Sequence, residues 1–157
     1  MNDSNQTPMQ VLYQETVWPS LMAAIPFVLI APAVALVVTP FTDFVVATLA
    51  GSFVFVICLI TLLALSPKIR VSKSATQVLL HVNSATIDTN HIGIVSIVEK
   101  HAVRAERGPL LDARSFRVFQ PSVAQMLKLT VVDEADKTPY WLISTRNPLA
   151  LKTALKK

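Results

Sequence analysis

The chain has 157 residues, 52% of them hydrophobic, with fourteen lysines and arginines against ten aspartates and glutamates, a net charge of +4. That length holds one domain of ordinary size, or a membrane segment with a small domain. Three isolated glycines exclude a P-loop and a dinucleotide fingerprint, and a single cysteine excludes an intramolecular disulfide.

The charge is unevenly divided. Residues 1–67 carry Asp3, Glu15 and Asp43 and no basic residue, whereas residues 68–157 carry all fourteen basic residues and seven acids, or +7. Diluted over that length, the excess is not a nucleic-acid footprint. Only Lys68, Arg70 and Lys73 cluster, and they follow the apolar region directly.

In chain order, residues 1–17 form a short N-terminal segment. Residues 18–39 (WPSLMAAIPFVLIAPAVALVVT) and 44–65 (FVVATLAGSFVFVICLITLLAL) then contain no ionisable group. As helices at ~1.5 Å per residue, each spans about 33 Å, matching a hydrocarbon core of ~30 Å. Cys58 lies within the second stretch, where a thiol behaves as a small apolar side chain. Pro40, Phe41, Thr42 and Asp43 leave room only for a tight turn, so the two helices are antiparallel neighbours. Thr42 or Asp43 is expected to cap the second helix, and Pro26 and Pro32 to kink the first. Ala47 and Gly51, with Ala31 and Ala35, give small-xxx-small spacings that permit close helix approach. The basic residues beyond the second span place both termini in the cytoplasm, as a multi-pass protein of the inner (plasma) membrane. The expected organisation is a cytoplasmic segment at 1–17, a transmembrane hairpin at 18–66 and a cytoplasmic domain at 67–157.

From Pro67 the pattern changes to period two. Strands are predicted over 69–73, 77–82, 84–88, 93–98, 115–120, 126–132 and 139–145, with Asn83 as a turn residue between the second and third. HAVRAERGP is predicted as a brief helix ended by Gly108 in a left-handed conformation. Residues 133–137, with Asp133, Glu134 and Asp136, form an acidic turn. Asn147 is expected to cap a last helix with Pro148 at its first position, Leu151 and Leu155 facing inward, and Lys152, Lys156 and Lys157 favourable to its dipole. In TPYWLISTR, Trp141 and Ile143 should face one side and Tyr140 and Leu142 the other, both faces being covered. Seven short antiparallel strands closed by one helix give an expected mainly-β, α+β domain: a pleckstrin-homology-like barrel with a C-terminal helix.

No G-x-S-x-G elbow exists, and His81, His91 and His101 fall on different predicted elements. Asp112 with Arg114 is the best polar candidate, either as a turn cap and ion pair or as an anion site; Arg146 either binds an anion or pairs with Asp133 or Asp136. No set of acid, base and nucleophile assembles, so the expectation is a non-enzymatic protein with no cofactor, no metal and no nucleic acid.

Gly108, Pro109, Leu111, Asp112, Arg114 and Phe116, followed by Thr138, Pro139, Tyr140, Trp141, Leu142, Ser144, Thr145 and Arg146, resemble an actinobacterial membrane-protein family known as domain of unknown function 3093. Tyr13 and Glu15 match its Tyr-x-Glu-Arg element, with Thr16 in place of the arginine. The middle departs from the pattern: Phe119, Gln120, Pro121, Ser122 and Val123 lack its arginine and tryptophan. The resemblance implies a membrane protein of unknown activity, and Asp112, Arg114, Phe116, Tyr140, Trp141 and Arg146 are its candidate interaction or motif residues. Two functions compete. One is a membrane-anchored interaction module that docks an envelope protein partner. The other is an anionic-lipid headgroup site at Lys68, Arg70 and Lys73, with Arg114 or Arg146, each cation near the leaflet contributing ~1 kcal/mol. An enzyme acting on a lipid-linked substrate is the remote third.

Overall fold

A computed structural model describes residues 9–133 and 135–156. Residues 1–8, Glu134 and Lys157 lie outside the described residues, and with them part of the expected N-terminal segment, one acid of the 133–137 turn and one of the three helix-end lysines. The chain divides into two units, residues 18–66 and the combination of the N-terminal segment with residues 67–157.

In the first unit, Leu21–Phe41 and Phe44–Ala64 have mean hydropathies of 2.7 and 2.6 and are long and apolar enough to cross a membrane. The first stretch is not one helix. It comprises α1 (Leu21–Val28), α2 (Ile30–Val38) and a 3₁₀ turn (Thr39–Phe41), and the second stretch is α3 (Phe44–Ala64). The interruption at Leu29 has a covalent cause: Pro32 has no N–H for the Val28 carbonyl, so the ladder fails there. Polar side chains in the spans are satisfied locally. Thr39, Thr48, Ser52 and Thr61 donate to carbonyls four residues back at 2.7–2.9 Å, the economical arrangement in an apolar medium. The expected cap of the second helix is absent: Asp43 occupies the N-cap position, but its side chain makes no capping bond, and the Thr42 hydroxyl is 3.5 Å from the Val38 carbonyl. Ala47 and Gly51 are the buried residues of α3. A methyl group at Gly51 would overlap the Ala31 carbonyl oxygen and crowd its carbon. The small residues therefore pack the hairpin itself.

Among the described residues, the second unit holds eight strands: β1 (Gln10–Thr16), β2 (Lys68–Lys73), β3 (Val78–Val82), β4 (Ala85–Asp88), β5 (Ile92–Val98), β6 (Phe116–Val118), β7 (Met126–Val131) and β8 (Tyr140–Ser144). Two helices, α4 (Val103–Glu106) and α5 (Pro148–Leu155), complete it. The order is β1-β2-β3-β4 in one sheet and β5-β7-β8-β6 in the other. The expected closed barrel does not form: these are two separate four-stranded sheets. β6 also leaves the consecutive order, pairing in parallel with β8 at the sheet edge while β5 pairs with β7. β1 is the strand absent from the sequence expectation. It runs antiparallel to β2, from Gln10 opposite Lys73 to Thr16 opposite Lys68, with a bulge between Val11 and Tyr13. The globular unit thus takes strands from both sides of the hairpin segment.

The turn chemistry is legible residue by residue. Asn83 adopts φ 54°, the left-handed conformation asparagine tolerates better than most residues, and its Oδ1 accepts from the Lys68 N–H at 2.9 Å. Gly108 does end α4, but not with positive φ. The chain instead continues in right-handed turns, and a Cβ at Gly108 would press on the Arg104 carbonyl at 3.2 Å. Asn147 sits at the N-cap of α5 with Pro148 next, yet its side chain caps nothing; its N–H donates to Thr145 Oγ1 at 3.2 Å.

All five residues of β8 are buried, and their alternation separates two cores. Trp141 and Ile143 join Val17, Ile69, Val71, Leu80, Leu127, Leu129, Leu151 and Leu155. Tyr140 and Leu142 join Val98, Val103 and Met126 beneath α4. Fully buried side chains such as Leu142 and Ile143 each contribute roughly 1.5–3 kcal/mol.

Candidate functional site

Residues separated by more than a hundred positions meet at one carboxylate. Glu15 Oε2 accepts from the Tyr13 hydroxyl and from the Thr145 hydroxyl, both at 2.6 Å, and Oε1 accepts from the Arg146 N–H at 2.8 Å. Tyr13 and Glu15 lie two apart on β1, so the pleat puts them on one face; Thr145 and Arg146 leave the end of β8 opposite them. Burial first, and then the bond to Glu15, push the Tyr13 phenol up to about 12. The same region is stitched by Gln120, whose Nε2 donates to the Val17 carbonyl at 3.0 Å. Sequence matching singled out Tyr13 and Glu15 but gave them no structural role. The available signal was the alternation in QVLYQET, a strand pattern inside an otherwise polar segment.

A second constellation joins the other two motif stretches. Asp112 Oδ1 accepts from the Arg114 N–H at 2.8 Å, and the Arg114 guanidinium lies 3.2 Å from Oδ1 and 3.0 Å from Oδ2. The bond from the Arg114 side chain, with its N–H, holds the Asp112 carboxyl below the usual range. Ser115 Oγ donates to the Asp112 carbonyl at 2.6 Å, and the Asp112 N–H donates to the Tyr140 hydroxyl at 2.8 Å. Phe116 pairs in register with Trp141, their rings 4.3 Å apart and inclined at 44°. Asp112 and Arg114 therefore fasten a turn onto β8, and Arg114 is engaged there rather than beside Lys68 or Arg70. Arg146 is tied through its backbone to Glu15, while Asp133 pairs with His91 at 3.0 Å.

The basic cluster is partly assembled. Lys68 and Arg70, on the same face of β2, line a cavity of about 370 Å³ with Gln14, Glu15, Thr16, His81 and Asn83. Neither cation has a carboxylate partner among the described residues; the contact closest to one is Arg70 with Gln14 Oε1 at 3.5 Å. The His81 ring is fixed between Ser72 Oγ and Thr86 Oγ1, each at 2.9 Å. Lys73 stands at the far end of β2 and does not line this cavity. His91 and His101 lie elsewhere, beside Asp133 and Glu99 respectively.

No curated protein and no solved structure matches the chain. One family model does, over residues 12–155, from within β1 through the end of α5. That span holds all the constellations above, and the chain belongs to the family described as "Protein of unknown function (DUF3093)".

Proposed function

We propose that the protein is a non-enzymatic binding module held at the cytoplasmic face of the plasma membrane by its two-helix hairpin, and that its globular unit receives anionic lipid headgroups. The observation that carries this is the cavity on β2. Lys68 and Arg70, unpaired by any described carboxylate, share it with the polar side chains of Gln14, Thr16, His81 and Asn83. Glu15 also lines it, but its oxygens already accept three hydrogen bonds. Lys68 follows the last residue of α3, Ala64, by four positions, so connectivity alone keeps both cations within a short reach of the end of the second span. At ~1 kcal/mol per cation near an anionic leaflet, two such residues favour anionic over neutral headgroups by about thirtyfold.

Native mass spectrometry of the full-length protein, gently extracted from its own membrane, tests this. Anionic phospholipid should be retained by the wild type and fall about thirtyfold in Lys68→Gln/Arg70→Gln. Unchanged retention would remove the headgroup site. A stoichiometric protein retained equally by both forms, with no selective lipid, would instead favour the docking-module function.

A further inference from the structure

The segment after β5 holds a basic site whose three cations lie outside the motif residues and the β2 cavity. Hydrogen bonds from the Val103 N–H to Glu99, Glu106 to Ala102 and Arg107 to Val103 continue helical geometry on both sides of α4. Lys100, Arg104 and Arg107, spaced i, i+4 and i+7, consequently share one face. They line a groove of about 540 Å³ with Val103, Gly108 and Pro109, closed on the other side by Pro121 and Ala124. Among the described residues, no acidic one lines it. The two nearest acids in sequence are matched elsewhere: Glu99 with His101 at 3.3 Å, and Glu106 with Lys128 at 2.8 Å. Lys100 and Arg104 are exposed and have no ion-pair partner among the described residues.

Arg107 is the unusual member. Its Nη2 donates to the Val123 carbonyl at 2.7 Å, with the Gln120 carbonyl at 3.4 Å and Ser144 Oγ at 3.2 Å, and its Nε points at Met126 Sδ at 3.3 Å. The Phe119 ring lies 5.4 Å from the guanidinium carbon. These contacts fix the guanidinium rigidly but supply no counter-charge, and a half-buried cation without one is costly. Desolvation accordingly lowers its pKa. Nη1 donates to no described residue, so one edge of the fork is left for an outside acceptor. A fixed guanidinium flanked by two exposed cations is the geometry that takes a multivalent oxyanion.

We propose that the groove between α4 and residues 121–124 binds a phosphate-bearing ligand, with Arg107 as the fixed donor and Lys100 and Arg104 closing over it. The phosphate belongs either to a small solute or to a lipid headgroup. The site is distinct from the Lys68–Arg70 cavity and stands or falls separately from it.

The test uses the full-length protein in nanodiscs of phosphatidylcholine alone, titrated with inorganic phosphate, together with native mass spectrometry from nanodiscs containing phosphatidylglycerol. Lys100→Gln/Arg104→Gln changes only exposed side chains and preserves the fold, which circular dichroism checks. Saturable phosphate binding, one per chain and weakened at least tenfold in this variant but not in Lys68→Gln/Arg70→Gln, establishes the site with a soluble ligand. One retained phosphatidylglycerol, lost with the same selectivity and without phosphate saturation, establishes it with a lipid ligand. Equal behaviour of the wild type and Lys100→Gln/Arg104→Gln in both arms overturns it.

Discussion

Replacing Glu15 by alanine is expected to destabilise the globular unit by about 2–4 kcal/mol. Three donors converge on this carboxylate, and hydrogen bonds to a charged group are worth ~1.5–3 kcal/mol each, though not additively. The dominant loss is at Thr145, which is fully buried; its hydroxyl would be left without an acceptor. Glu15→Gln keeps an acceptor for the Arg146 N–H and should cost roughly half as much. Thermal unfolding of the full-length protein in mild detergent checks this. A drop in Tm on the order of 10–20 °C is expected for the alanine variant. Unfolding within a degree or two of wild type would mean that the three contacts do not hold β1 in place.

The same constellation has a pH signature. The Tyr13 phenol is raised from 10.0 to about 12, so the folded protein keeps it neutral where the unfolded chain ionises it. The associated stability is whole below pH ~10 and is lost as pH rises through the folded value. The difference between the tyrosinate absorbance titrations of wild type and Tyr13→Phe should therefore have its midpoint near the raised value, and Glu15→Gln should bring it down. A midpoint at the ordinary phenol value would show Tyr13 to be solvated and unbonded.

These constellations mark what local sequence carries and what it does not. The alternation in residues 140–143 predicts which of Tyr140, Trp141, Leu142 and Ile143 face which core, because a strand buried on both faces needs only its own pleat to be read. Asn83 is likewise a local matter of φ. β1 is different. Its pairing with β2 spans more than fifty positions, and nothing in QVLYQET identifies a partner beyond the apolar hairpin region. The parallel pairing of β6 with β8 is equally nonlocal: FRV is three residues long, and its neighbour is chosen by the Phe116–Trp141 contact and the Asp112–Tyr140 bond. Counting strands gave nearly the right number and the wrong closure. The candidate sites divide in the same way. The spacing of Lys100, Arg104 and Arg107 is visible in KHAVRAERGP, but the missing counter-charge around Arg107 depends on Gln120, Val123, Met126 and Ser144, which only the folded chain brings together.

In the two-helix hairpin, Gly51→Leu is expected to separate α2 from α3. At Gly51 even a methyl would overlap the Ala31 carbonyl oxygen and press on its carbon. The obstacle is backbone on the facing helix, not the end of a flexible side chain, so relief requires the helices to move apart. Overpacking of this kind costs about 1–3 kcal/mol or more. Leucine outranks glycine by somewhat under ~1 kcal/mol in helix propensity, which offsets only part of that. Between apolar helices in lipid there is little hydrophobic drive to restore the contact, since close packing is itself the main source of association. Phe53→Ala, at a position 67% exposed on α3, removes more volume but touches the surroundings rather than α2. An SDS titration of the full-length protein in mixed micelles should lower the unfolding midpoint of the hairpin for Gly51→Leu and leave Phe53→Ala near wild type. Equal midpoints for the two variants would mean that α3 does not meet α2 through Gly51, and the contact between small residues would lose its role in closing the hairpin.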